Sequence, residues 1–262
     1  GDAFLRSFPL FPIRQKGFRH NITQSLATLP LVGLLAAVVW MLPDVRSLQL
    51  GGGLLVTFVM AYLVIECNNR YQLLRVRSRM NSVVFLALMA AFPGSHLLGW
   101  HLAPAAALLA AYFVLFRVYG QTRTQGTLFH VTLLLSLGCL VFPPLVLVIP
   151  FALFVAAVQL RALRPAAFGA AVLGWLLPYW IYAAILLALH GFDWTLLPAY
   201  YADVLPQLPK FDYVAVNPLT WVSYAAVIVP GLIGTAHFYS TSYNDKIRTR
   251  QFLYSLTVLQ IP

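Results

Sequence analysis

The chain alternates long apolar runs with short polar breaks. A membrane-crossing helix needs about 20 apolar residues. Runs at Ile22–Leu42, Leu50–Glu66, Ser82–Leu98, Leu102–Val118, Thr127–Phe142, Pro144–Leu163, Ala167–Leu189 and Leu219–Tyr239 each approach that length. A ninth begins near Gln251 (QFLYSLTVLQIP) and covers about half a span. The pattern predicts an all-α protein: a polytopic transmembrane helical bundle of about eight spans plus the start of a ninth, in one transmembrane domain over residues 1–262. No stop signal or polar tail follows the ninth run, so the natural chain is expected to be longer. The first run reads as an uncleaved signal-anchor, because residues 1–21 lack a short apolar core with a cleavage site.

Several runs carry breakers. Phe92-Pro93-Gly94 interrupts the third, Pro143-Pro144 separates the fifth from the sixth, and Pro150, Pro178 and Pro230 lie inside spans. Proline removes a backbone donor and crowds the preceding turn, which predicts kinks or partial breaks. Opened backbone inside a bilayer must be buried in protein or line a wet cavity. Gly51-Gly52-Gly53 predicts close helix packing. The segment 190–218 mixes aromatic residues with aspartates and prolines, and reads as an amphipathic loop at the outer interface.

Charge placement orients the bundle. The chain has 17 Lys and Arg. All but two fall in alternate breaks: Arg6, Arg14, Lys16 and Arg19; Arg70, Arg75, Arg77 and Arg79; Arg117 and Arg123; Arg161 and Arg164; Lys246, Arg248 and Arg250. Only Arg46 and Lys210 lie in the intervening loops. Lys and Arg in short loops stay cytoplasmic. The expected location is therefore a bacterial inner membrane, multi-pass, with residues 1–21 cytoplasmic and 190–218 periplasmic.

Composition agrees with this. Hydrophobic residues make up 61% of the chain and charged residues 9%; mean hydropathy is +0.81. A soluble domain carries about 25% charged residues. The net charge of +10 follows from membrane orientation and does not imply nucleic acid, whose readers gather charge on one wet face. Cys67 and Cys139 have neither metal spacing nor a disulfide framework.

Polar residues that could carry chemistry are few. Asp44, in the first outer loop, is the candidate catalytic acid. Arg46 and Lys210 outside, and Arg70, Arg75, Arg77 and Arg79 inside, are candidates for binding lipid phosphate, because Arg pairs bidentately with phosphate oxygens. Glu66, His130 and His237 are candidate intramembrane polar groups; at a helix end Glu66 is expected to reach water or to pair with Arg70 at i+4. His96 and His101, five residues apart and without an acid, read as interfacial polar groups rather than metal ligands. No metal or cofactor is expected, and no Walker A, GxSxG, HExxH or CxxC pattern occurs.

The stretch QGTLFHVTLLLSLGCLVFPPLVLVIPFALFVAAVQLRALRPAAFGAAVLGWLLPYWIYAAILLALHG, with NNRYQLLRVRSRM and YNDKIRTRQF, resembles a family of uncharacterised polytopic inner-membrane proteins of Bacteroidota. That resemblance implies a multispanning fold and no particular activity. The layout also looks distantly like the membrane core of GT-C glycosyltransferases, enzymes that use polyprenyl-phosphate sugars and place a catalytic acid in the first outer loop. Here that loop is short and offers only Asp44.

The first expectation for function is a non-catalytic subunit or scaffold of an envelope, secretion or motility membrane complex. Its partners would be membrane lipids and other membrane subunits. The alternative is a GT-C-like or polyprenyl-phosphate-handling protein of lipid-linked glycan metabolism. A transporter comes third, because ionisable groups at bilayer depth are scarce and no inverted repeat is visible.

Overall fold

A computed structural model describes residues 27–42, 48–71, 80–92, 96–99, 102–190, 218–241 and 247–259. The regular structure among these residues is entirely helical, with no strand. The α-helices are α1 (Thr28–Met41), α2 (Leu48–Tyr71), α3 (Met80–Ala91), α4 (Leu102–Phe116), α5 (Gln125–Val141), α6 (Val148–Val158), α7 (Pro165–His190), α8 (Pro218–Thr241) and α9 (Ile247–Val258). A short 3₁₀ helix, Pro143–Leu147, precedes α6.

Proline placement explains most boundaries. Pro30, Pro104, Pro150, Pro165 and Pro218 all fall within the first three positions of their helices. The N–H groups there have no intrahelical acceptor, so a missing donor is harmless. Pro150 therefore does not kink a span; it opens α6. The run expected at Pro144–Leu163 is instead a 3₁₀ turn followed by the 11-residue α6, because Pro143 and Pro144 cannot continue α5. α3 ends at Ala91 rather than at Leu98, since a residue before proline avoids helical ψ and Phe92 precedes Pro93. α2 runs past Glu66 through ECNNR to Tyr71. α7 and α8 continue through Pro178 and Pro230.

Among the described residues two helices, Leu48–Tyr71 and Pro165–Leu189, are long and apolar enough to cross a membrane; the stretch Ala225–Ser240 of α8 and the other apolar helices fall short of that test. Large apolar side chains stand exposed along nearly all of them, among them Leu34, Leu55, Phe154, Trp180 and Leu232.

α5 is the central strut. It packs most closely with α7 and α4, while α1, α2 and α3 pack together and α2 reaches α4. Leu128, Val131 and Leu135 of α5 are fully buried with Leu115, Val155, Ala167 and Ala171. Hydroxyl rungs join α5 to α7. Thr132 Oγ1 donates to the Ala171 carbonyl at 2.7 Å, Ser136 Oγ donates to the Trp175 carbonyl at 2.6 Å, and the Tyr179 hydroxyl reaches Cys139. Each rung advances both helices together, so α5 and α7 are parallel. Such interhelical bonds contribute about 0.6 kcal/mol each in a bilayer. Glycine at 174 makes the approach possible: a Cβ there would fall on the Phe129 carbonyl oxygen and the Thr132 hydroxyl.

At the end of the bundle formed by the C-termini of α1 and α3, Trp40 is 1% exposed. Its indole N–H is shared between the carbonyls of Leu50 at 3.1 Å and His96 at 3.0 Å. The His96 ring stacks on it, 4.0 Å between centroids and 20° between planes. His96 Nε2 donates to the Ala90 carbonyl at 3.1 Å, and the Leu98 N–H donates to the Gln49 carbonyl at 3.0 Å. His96 is thus a buried plug, not an interfacial polar group. Gly52 and Gly53 do mark a close approach, but of the 96–98 segment rather than of a neighbouring helix: added Cβ atoms would meet Leu98 and the His96 carbonyl.

Candidate functional site

The opposite end collects positive charge on an aromatic base. Tyr71 closes α2, and its ring meets Phe113, Phe116 and Phe252 edge-on at 5.6–5.7 Å. Phe252 of α9 is fully buried and also contacts Phe116 at 4.8 Å and Tyr119 at 5.4 Å. The Tyr71 hydroxyl donates to the Phe113 carbonyl at 2.8 Å, and the Tyr112 hydroxyl donates to the Leu259 carbonyl at 3.2 Å. The buried Thr124 hydroxyl donates to the Ala162 carbonyl at 2.8 Å, tying the turn before α5 to the turn before α7.

These ties bring distant segments of the chain to one end. Arg70, Arg117, Arg123, Arg161, Arg164, Arg248 and Arg250 are the Lys and Arg among the described residues, and all of them lie there. Glu66 is the one acidic residue among the described residues. It is half-buried on α2 and forms no ion pair with Arg70. Arg70 instead lies over the Phe113 ring, 5.9 Å from its centroid, because the ring offers a negative face where Tyr71 draws α4 in. Arg117, Arg123, Arg161 and Arg164 are exposed.

Arg161 has φ +50°, in the left-handed region. The reversal lets the Ala162 N–H return to the Ala156 carbonyl at 2.8 Å and ends α6. Glycine is the usual residue in such a position.

The remaining candidates are dispersed. His130 is exposed in the second turn of α5, its Nδ1 bonded to the Gly126 carbonyl and its ring edge-on to Phe129. His237 is exposed near the end of α8. Asp44, Arg46, Arg75, Arg77, Arg79, His101 and Lys210 lie outside the described residues, as do residues 1–21 and almost all of 190–218. Among the described residues no group of His, Cys, Asp and Glu could hold a metal ion. A groove of about 510 Å³ between α1 and α2 is lined by Gly33, Leu34, Phe58, Tyr62 and Ile65 and is almost wholly apolar.

Sequence reasoning missed Thr124 and Trp40, and it read Arg161 only as a cation that orients the bundle. Pro165 and the paired arginines of the 159–165 turn mark a helix junction but say nothing of Thr124 reaching it. The Trp40–His96 stack has no sequence signature, because 56 residues separate the two.

No protein family, curated protein or solved structure matches this chain. What fold and site define is a class: an all-helical bundle with two helices capable of crossing a membrane and its described cations gathered at one end.

Proposed function

We propose that this chain is a multi-pass bacterial inner-membrane protein whose basic end faces the cytoplasm, and that it acts as a non-catalytic subunit of an envelope membrane complex. Three features support the membrane reading. Exposed Leu, Val, Phe and Trp stand along most of the helices, a surface suited to lipid and too apolar for water. The described cations occupy one end, as short cytoplasmic loops require. The parallel α5 and α7 need residues 142–164 to carry the chain back, and the 3₁₀ turn plus α6 extend about 26 Å, close to the roughly 30 Å of a bilayer core.

The observation that carries the subunit reading is α8. From Ala225 to Gly234 every residue is exposed, a stretch of nearly three turns, so no face of that stretch is covered. Gly231 and Gly234 have open space at their Cβ positions, which suits close approach by another helix. The polar groups of the core tie helices together through backbone carbonyls, a structural use.

Two measurements test this. In spheroplasts, an impermeant maleimide should label Leu98→Cys directly and Thr122→Cys only after permeabilisation; the reverse pattern would sink the topology. In mild detergent, wild type should co-purify with a fixed-stoichiometry membrane partner that Gly231→Leu with Gly234→Leu releases. A wild-type chain that is monodisperse and partnerless refutes the subunit role.

A further inference from the structure

We infer that Arg123, Arg161 and Arg164 form a binding site for the phosphate headgroup of an anionic membrane lipid. The inference rests on the membrane reading above but not on the subunit role.

The Thr124–Ala162 hydrogen bond of 2.8 Å holds the two arginine-bearing turns side by side. All three arginines are exposed, and none makes an ion pair among the described residues. Arginines without carboxylate partners on two turns tied side by side favour a phosphate, which their guanidinium groups can grip through several N–H donors. The helices beginning here add to this. α5 and α7 start with no acid in their first turns, and the Thr124 hydroxyl does not cap α5 because Ala162 takes it.

The surface below the arginines argues for a lipid over a soluble phosphate. Phe168, Val172, Leu176 and Trp180 follow Arg164 at four-residue intervals along α7, a row that winds slowly round the helix. Phe168, Leu176 and Trp180 are 49%, 40% and 72% exposed. A headgroup at Arg164, where α7 begins, would therefore have its acyl chain beside exposed apolar side chains of that helix.

Arg161 supplies an internal check. A left-handed non-glycine residue is costly, and glycine would remove the cost. Were its only task to turn the chain, Arg161→Gly would be favourable with no loss.

The test uses the full chain in detergent, titrated with dioctanoyl phosphatidate and followed by microscale thermophoresis. Phosphatidylcholine and inorganic phosphate serve as comparison arms. Saturable binding is expected with phosphatidate alone. Arg123→Gln with Arg164→Gln should weaken it roughly tenfold or more, as loss of two headgroup-contacting cations implies. Arg161→Gly should weaken binding while raising the lipid-free unfolding midpoint by about 2–4 °C. Equal affinity in wild type and the double variant overturns the site. Equal binding of phosphatidylcholine overturns phosphate recognition, and inorganic phosphate binding as tightly as phosphatidate overturns the lipid assignment. Alkaline carbonate extraction separates the two levels. A chain released into the supernatant fails the membrane reading, whereas an integral chain with unchanged affinity fails only this inference.

Discussion

Trp40→Ala should destabilise the protein by about 3–5 kcal/mol, the range for truncating a buried large aromatic residue. Trp40 is 1% exposed and joins three segments. Its loss removes the stack on His96 and leaves the carbonyls of Leu50 and His96 without their indole donor. Trp40→Phe keeps a ring but not the N–H, so about 0.5–1.5 kcal/mol for the lost indole hydrogen bonding should remain. Trp180→Ala is the control. That side chain is 72% exposed, and its change should stay near 0.5 kcal/mol or below. SDS-titrated unfolding in mixed micelles, read by far-UV circular dichroism, measures all three. If Trp40→Ala costs no more than Trp180→Ala, the Trp40–His96 contact does not fasten α1 to α2 and α3.

Gly174→Ala and Gly169→Ala, five residues apart on α7, should change stability in opposite directions. Alanine is a better helix former than glycine by about 1 kcal/mol. At Gly169 nothing lies within 4 Å of the new methyl, so that gain is realised. At Gly174 the methyl would land on the Phe129 carbonyl and the Thr132 hydroxyl. Neither atom can swing away, since one is backbone and the other is bonded to Ala171. The helices must separate, which costs about 1–3 kcal/mol of strain and weakens the rungs at Thr132 and Ser136. Gly174→Leu should exceed that range. The same unfolding assay decides the matter: two shifts of the same sign would mean that α5 and α7 are not held at this distance.

What the sequence made legible was set by local rules. Helical class, the approximate positions of the helices and the gathering of cations at one end follow from run length and from where Arg can rest. The same rules misread Pro150, because run length alone does not say which turn of a helix a proline occupies. They misread His96, because burial of an imidazole depends on an indole far away in the chain. By spacing they offered Glu66 either water or Arg70, whereas Arg70 found the Phe113 ring, which only the fold brings within reach. Of the candidate site, the arginines were visible one cluster at a time. Their convergence on Phe252 and on the Thr124–Ala162 tie was not, because tertiary contacts create both.

The parallel pairing of α5 with α7 bears on how the protein is made. Thr132 and Ala171 are 39 residues apart, as are Ser136 and Trp175. At about 5–20 residues per second of translation, α5 waits roughly 2–8 s before its partner exists. Thr132 can wait by bonding to the Leu128 carbonyl of its own helix at 3.1 Å. Until residue 175 has been synthesised Ser136 has only a carbonyl of its own helix to turn to, as Thr132 does, so the rungs between α5 and α7 close only once α7 has emerged.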